Sequence, residues 1–451
     1  MASSKTVTFL EQCHVSPAAS TTADLSLPLT IFDAPWIGFH VIQRLFFFNF
    51  THNKTYFIEN TIPSLKESLS LTLKHFFPLA GNLIYPSDSS GKPEIKYSIG
   101  DSISLTFAES NDDFSYLVGN DPKTAHRFYP LAPELKLASS EISGNKIVPH
   151  LALQVTLFPN SGICITCTDS HSITDANVVV GFLKAWGSVY KNKGDAELVA
   201  TSSVPFLDRS ALIKEREVLD RVLSIDPQSI NFNLSPAVML SENLVRASFV
   251  ICEADVVKLK QSVRSKSGVA VTCAYIWICR LKAMNDVGEK VDESENVHFI
   301  LSVDCRTHLD PPIASTYMGN CVAPCIATSR IGDLLRPEGL KIAAELIGDA
   351  CDKRVADKEG LLKGGFISEL EEVNWSRSFG AAGLVTSDVY DTDFGWGNKL
   401  EKFESISTDM DGSMSLEKSG KFEGGFEISL SMAKQKMVAF TSIFTNGLRD
   451  L

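Results

Sequence analysis

The polar and apolar positions between residues 163 and 191 fall into three blocks. ICITCT is an unbroken apolar run of strand length, DSHSITD is a polar corner, and ANVVVGFLKAWGSVYK repeats its apolar residues at helical spacing. Val179, Leu183, Trp186 and Tyr190 lie near one face, so the pattern predicts strand, corner, helix. Upstream, RLFFFNF and LALQVTLFP read as strands, and PLTIFDAPW reads as a short strand. In IPSLKESLSLTLKHFFPLAGNL, Leu65, Leu69, Leu73 and Phe76 predict a helix, with Pro63 in its first turn and Pro78 forbidding continuation. GKPEIKYSIGDSISLTFAES reads as strand, turn, strand.

Residues from about 192 to 240 are polar and broken, and predict a crossover. Beyond them the mixture resumes without repeating the sequence. LVRASFVICEADVVKLKQSVRSK reads as a strand and a basic-faced helix, SGVAVTCAYIWICRLKAM as a buried helix, and VHFILSVDCRTHLDPP as a strand ending in a polar loop. KFESISTDMDGSMSLEK predicts a hairpin with Asp411-Gly412 at its turn. GFEISLSM is a further strand, and the last helix carries Met437, Phe440, Phe444 and Leu448. Strands and helices in both halves predict an α/β chain of two mixed layers. The expected division is a domain over 1–200, a crossover over 201–240 and a domain over 241–451.

Composition adds exclusions. The chain has 451 residues, 44% of them hydrophobic and 21% charged, which is a globular balance. A formal charge of −12 argues against a broad electrostatic hold on nucleic acid. No window has the roughly 18 consecutive apolar residues of a membrane span, and the N-terminal MASSKTVTFLEQCHVSP lacks the pattern of a signal peptide. Ten cysteines, most of them in apolar runs, suit a reduced cytoplasmic protein. Cys164 and Cys167 form a CxxC, but in a strand they point to opposite faces, which argues for packing rather than zinc. No metal is expected.

The corner carries the chemistry. Asp175 suits the N-cap of the helix it precedes. His171, four residues earlier, is a candidate general base, because its unperturbed pKa lies near neutrality. Asp175 either orients the ring directly or fixes its loop through an ion pair. The chain has no G-x-S-x-G elbow, P-loop or Rossmann glycine fingerprint, so a lone base points to direct transfer between a donor and an acceptor.

Two further stretches narrow this reading: TYMGNC at 316–321 and DFGWG at 393–397. With HSITD in mid-chain and DFGWG near the C-terminus, the sequence resembles the plant BAHD acyltransferases, and the likeness extends to PLAGNL and VDCRTHLDPP. YMGNC is similar to the YFGNC of the branch that acylates anthocyanin, flavonoid and phenolic glycosides. Ser170, Thr174 and Met318 stand where that family often has His, Gly and Phe.

The resemblance implies two mixed-sheet domains of the chloramphenicol acetyltransferase-like type, with a channel at their interface. It implies a ternary complex without an acyl-enzyme, His171 as base, and Asp175 paired with Arg306 near Asn320. Asp393 would brace its loop, Gly395 and Gly397 would allow a tight backbone path, and the Trp396 indole or a neighbouring amide would hold the oxyanion. No cofactor is expected to be permanently bound. An acyl-CoA, malonyl-CoA first and hydroxycinnamoyl-CoA next, is the expected co-substrate, with a phenolic glycoside as acceptor. Lys258, Lys260 and Arg264 on the basic helix are candidates for the CoA phosphates. The expected unit is a monomer, with neither nucleic acid nor membrane as partner. N-acylation of an amine, or a silent relative that only binds CoA or glycoside, are the competing readings.

Overall fold

The computed structural model describes residues 6–18, 23–87, 91–136, 138–139, 144–194, 204–213, 216–223, 243–289, 292–383 and 388–451. Of the expected crossover, residues 201–203, 214–215 and 224–240 lie outside the described residues.

The described strands form a six-stranded, a seven-stranded and a five-stranded sheet. In the six-stranded sheet the central hairpin is Leu151–Phe158 with Gly162–Asp169, buried along its whole length, which explains the unbroken apolar runs. Strand Ile42–Asn49 pairs antiparallel with Gly162–Asp169, and Ile103–Ser110 runs parallel to Leu151–Phe158, so the sheet is mixed. Cys164 and Cys167 face different apolar clusters on its two sides, as their spacing requires. Helices Ile62–Leu73 and Ala176–Lys191 cover one face, with Leu65, Leu69, Leu183 and Trp186 in the shared core.

The seven-stranded sheet centres on Asn296–Asp304, Ser378–Ala382 and Met414–Lys418, all parallel neighbours, flanked antiparallel by Val322–Arg330 on one side and by Phe426–Ala433 and then Leu244–Ile251 on the other, with Lys123–Thr124 at the edge. Helices Gly268–Asp286, Gly339–Ala356 and Lys434–Arg449 pack on one face around Trp277, Phe299 and Phe440. The architecture is α/β with mixed sheets in two domains, as the alternation of patterns predicts.

The two halves exchange strands. Lys402–Ser405, late in the chain, pairs with Ile42–Asn49 in the six-stranded sheet, and Lys123–Thr124 pairs with Leu244–Ile251 at the edge of the other. The expected hairpin across Asp411-Gly412 is therefore absent. Lys402–Ser405 and Met414–Lys418 belong to different sheets, with a helical turn Thr408–Asp411 between them. Charge explains the divergence: the buried Arg246 guanidinium bonds the carboxylates of Glu404 and Asp409, pinning this segment between the sheets.

A second departure lies in PLTIFDAPW. Only Leu25–Pro28 is a strand, and Ala34–Trp36 is a 3-10 turn. Both the Thr30 N–H and its hydroxyl donate to Asp33 Oδ2, each at 2.8 Å, which curls the backbone away from a ladder.

Candidate active site

The site grows from the end of the buried strand. Asp169 closes that strand and pairs with Arg44 at 2.5 Å, and its second oxygen accepts from the Thr174 hydroxyl at 3.0 Å. The corner is thus tied to the strand it leaves. Six residues after Asp169, Asp175 caps helix Ala176–Lys191 by accepting from the Val178 N–H at 3.2 Å. Its Oδ2 does something a cap does not need. It accepts from Arg306 at 2.8 Å and from the Cys321 N–H at 3.2 Å.

Arg306 is spread over the loop that follows strand Asn296–Asp304. It donates to Asp304 at 3.2 Å and to the carbonyls of Tyr317 and Gly319 at 3.2 and 3.0 Å. Asp175 therefore does not touch the imidazole. It fastens the corner, through a buried guanidinium, to the loop that carries YMGNC.

That loop delivers Asn320, which is fully buried. Its Nδ2 donates to the His171 carbonyl at 2.8 Å and to Asp33 Oδ1 at 2.9 Å. Both partners are acceptors only, so the amide orientation is chemically determined, and Oδ1 faces the ring. His171 Nδ1 lies 3.1 Å from that oxygen and must carry the proton. Nε2 is then left with a free lone pair. Asp33 is held in turn by Arg209 at 2.8 Å. The chain of contacts runs Arg209, Asp33, Asn320, His171, and its end product is one tautomer.

The ring is neutral. Burial, with the nearby Arg44 charge adding to it, pushes the His171 imidazole down from 6.5 to about 3. Its Nε2 lone pair is available throughout the physiological range. The indole of Trp36 covers one face of the imidazole, and Phe39 meets it edge-on. Burial raises the thiols of Cys167 and Cys321 beside the corner, so neither is a thiolate at neutral pH.

Beside the corner, a cleft of ≈ 130 Å³ opens where the halves meet. Asn177, Val178 and Gly181 of the site helix form one wall, and Thr316, Tyr317 and Met318 of the YMGNC loop form the other.

DFGWG lies elsewhere. Asp393 accepts from Lys191 at 2.6 Å and from the Gly395 N–H at 2.7 Å, at the last turn of the site helix. Partial burial pushes its carboxyl up, but these two donors bring it below the usual range. Gly395 and Gly397 have φ of 77° and 120°, values that disfavour any side chain. The loop presses so close that a Cβ on Gly187 would sit 2.7 Å from the Asp393 carbonyl oxygen.

Trp396 packs on Phe48, Phe50 and Phe394, and its indole N–H donates to the Tyr190 hydroxyl at 3.1 Å. Tyr190 stands about 20 Å from the helix N-terminus at 1.5 Å per residue. The Trp396 indole N–H, expected at the oxyanion, is thus engaged with Tyr190 near the far end of the site helix.

The structure thus brings His171, Asp175, Arg306 and Asn320 together, and places Asp393, Gly395, Trp396 and Gly397 apart from them. Lys258, Lys260 and Arg264 belong to helix Glu253–Val263 and its cap, where Lys258 and Arg264 are exposed. Sequence reading missed Asp33, Trp36, Arg44 and Arg209. The available signal was a carboxylate followed two residues later by proline, FDAPW, inside an apolar run. Among the described residues, no group of three or more His, Cys, Asp or Glu could hold a metal, and no helix is long and apolar enough to cross a membrane.

The model of the Transferase family matches residues 5–446. A malonyl-coenzyme A:anthocyanin 3-O-glucoside-6''-O-malonyltransferase of Dahlia pinnata is 40% identical, with 98% of each chain covered. A phenolic glucoside malonyltransferase of Nicotiana tabacum is 39% identical over 98% of this chain and 99% of its own. A coumaroyl-CoA:anthocyanidin 3-O-glucoside-6''-O-coumaroyltransferase of Arabidopsis thaliana is 33% identical over 98% and 97%. Among solved structures, vinorine synthase matches with a TM-score of 0.69 at 20% identity over 96% of both chains, a likeness of fold.

Proposed function

This chain belongs to the Transferase (BAHD) family of acyl-CoA-dependent acyltransferases, and we propose that it transfers a malonyl group from CoA to a sugar hydroxyl of an anthocyanin or other phenolic glucoside. Hydroxycinnamoyl-CoA is the second donor to test, because relatives at 33% and 34% identity use coumaroyl-CoA.

The observation that carries the mechanism is the pinned Asn320 amide, which leaves His171 with its proton on Nδ1 and a lone pair on Nε2. Nε2 takes the proton of the acceptor hydroxyl as its oxygen attacks the thioester carbon. The carbonyl π electrons move to oxygen, giving a tetrahedral oxyanion. Collapse re-forms the carbonyl, breaks the C–S bond and expels CoA thiolate, which takes the proton back from Nε2. No acyl-enzyme is needed, and a ternary complex suffices.

Asp175, Arg306 and Asn320 act on the ring's position, while Asp393 with Gly395 and Gly397 clamps the far end of the helix that follows it. For the CoA phosphates, Lys258, Lys260 and Arg264 supply the cationic side chains of one helix and its cap. The cleft beside Tyr317 and Asn177 supports a substrate passage between the halves.

The test is a matrix of purified protein with malonyl-, coumaroyl-, caffeoyl- and acetyl-CoA against glucosides and amines, read by product mass. A malonylated glucoside is the expected product. Amide products alone would replace the acceptor assignment, and bound CoA without any product would indicate a silent relative.

A further inference from the structure

The nearest neighbour of the His171 imidazole by face is a residue no motif names. The Trp36 indole stacks on it with ring centroids 3.8 Å apart and planes only 5° from parallel. Phe39 meets Trp36 edge-on at 5.2 Å and the imidazole at 6.3 Å, so the two aromatic rings form a corner around the base.

A bland account is available, in which Trp36 merely fills space. Its polar atom argues otherwise. The indole N–H is buried and among the described residues has no hydrogen-bond partner, an arrangement that buried donors normally avoid. Since no hydrogen bond fixes the indole, its position comes from the faces it contacts. It also sits at the end of the same 3-10 turn that begins at Asp33. One short turn therefore reaches the imidazole twice: through Asp33 and Asn320 in the ring plane, and through Trp36 above that plane.

The chemistry gives this contact a use. At rest the ring is neutral. When Nε2 has taken the acceptor's proton, both nitrogens bear hydrogen and the ring is a cation. A flat aromatic face is attractive to such a cation through its quadrupole, most strongly for indole. The stack is thus worth more in the transition state than in the resting enzyme, which is the condition for accelerating a step.

We propose that Trp36 is a positioning residue of the transfer, holding the plane of His171 and stabilising the imidazolium formed when the acceptor hydroxyl is deprotonated. This rests on the reading of His171 as general base.

The test compares Trp36→Phe and Trp36→Leu with the parent at saturating donor and acceptor. Trp36→Leu, which keeps an apolar cover without a π face, is expected to lower kcat roughly tenfold with KM within about twofold. Trp36→Phe is expected to recover part of that loss. A kcat within twofold of the parent for Trp36→Leu, a loss confined to KM, or Trp36→Phe no better than Trp36→Leu would each overturn the proposal.

A second readout does not depend on turnover and uses only the conservative Trp36→Phe background. Removing the stacked ring changes the surroundings of the indole, so His171→Gln should alter tryptophan fluorescence in the parent and should not do so in Trp36→Phe. An equal change in both backgrounds, or none in the parent, would mean that the rings do not stack in solution. A parent that transfers no acyl group from any CoA thioester would defeat the proposed function instead, while leaving the fluorescence comparison to decide the stack.

Discussion

Asn320 Oδ1 lies 3.1 Å from His171 Nδ1, although the two residues are 149 positions apart in the chain. The amide cannot turn over without facing its NH₂ at the ring and its oxygen at the Asp33 carboxylate. That contact makes Asn320 the residue that selects the tautomer. Asn320→Ala should leave a folded protein in which both tautomers are populated and the ring can tilt. We expect kcat to fall by about 10² or more, the lower range for losing an effective general base, with less change in KM. Steady-state kinetics beside a far-UV spectrum checks this, and a kcat within threefold of the parent would exclude the tautomer argument.

Asp175 and Arg306 are both buried, at 1% exposure each, and bonded at 2.8 Å. Removing one charge strands the other in a dry interior, a change that costs about 3–5 kcal/mol. Asp175→Ala also loses the helix cap. We expect a marked fall in Tm together with loss of activity, and partial recovery of Tm in Asp175→Ala, Arg306→Met. Thermal melts of the two proteins decide this. A single variant as stable as the parent would contradict the fastening role.

Trp396→Phe gives up one hydrogen bond, from the indole N–H to the Tyr190 hydroxyl, while keeping an aromatic ring among Phe48, Phe50 and Phe394. Such a bond is worth about 1 kcal/mol net. The expected result is a small drop in Tm and a kcat within about threefold of the parent. A loss of 10² or more in kcat at unchanged stability would place the indole at the oxyanion site.

His150 immediately precedes the strand beside the corner and is fully buried, and among the described residues neither ring nitrogen has a hydrogen-bond partner. Burial, then the Arg209 charge, pushes it from 6.5 down to about 3. Its folded value is depressed, so the stability it contributes is complete above about pH 6.5 and is lost as pH falls toward 3. His150→Leu removes that loss. Relative to the parent, the variant should gain up to about 1.4 kcal/mol per pH unit on descending from pH 6 to 4. Measuring the difference isolates this ring from His171, which titrates in the same direction, and from Glu417. Burial raises the Glu417 carboxyl to about 8, and it titrates in the opposite direction. A difference that does not vary with pH would mean that the ring is not neutral in the folded protein.

The sequence by itself determined the strand, corner and helix around HSITD. A six-residue apolar run, a capping carboxylate and a repeat near 3.6 are local signals, written within thirty residues. It also placed the transferase motifs in order, since a motif is a property of the string. Tertiary structure alone decided which groups meet. Asp33 was read as part of a strand because its partners, Arg209 and Asn320, are 176 and 287 positions away. Lys402–Ser405 left its expected hairpin because a buried guanidinium from another strand claims the carboxylates around it. Trp396 and Trp36 carry the same indole N–H. Only packing tells that the first is spent on Tyr190 while the second lies over the base. Hydrophobic period specifies which face a residue takes, whereas the partner that face meets is fixed by long-range packing, which no local pattern encodes.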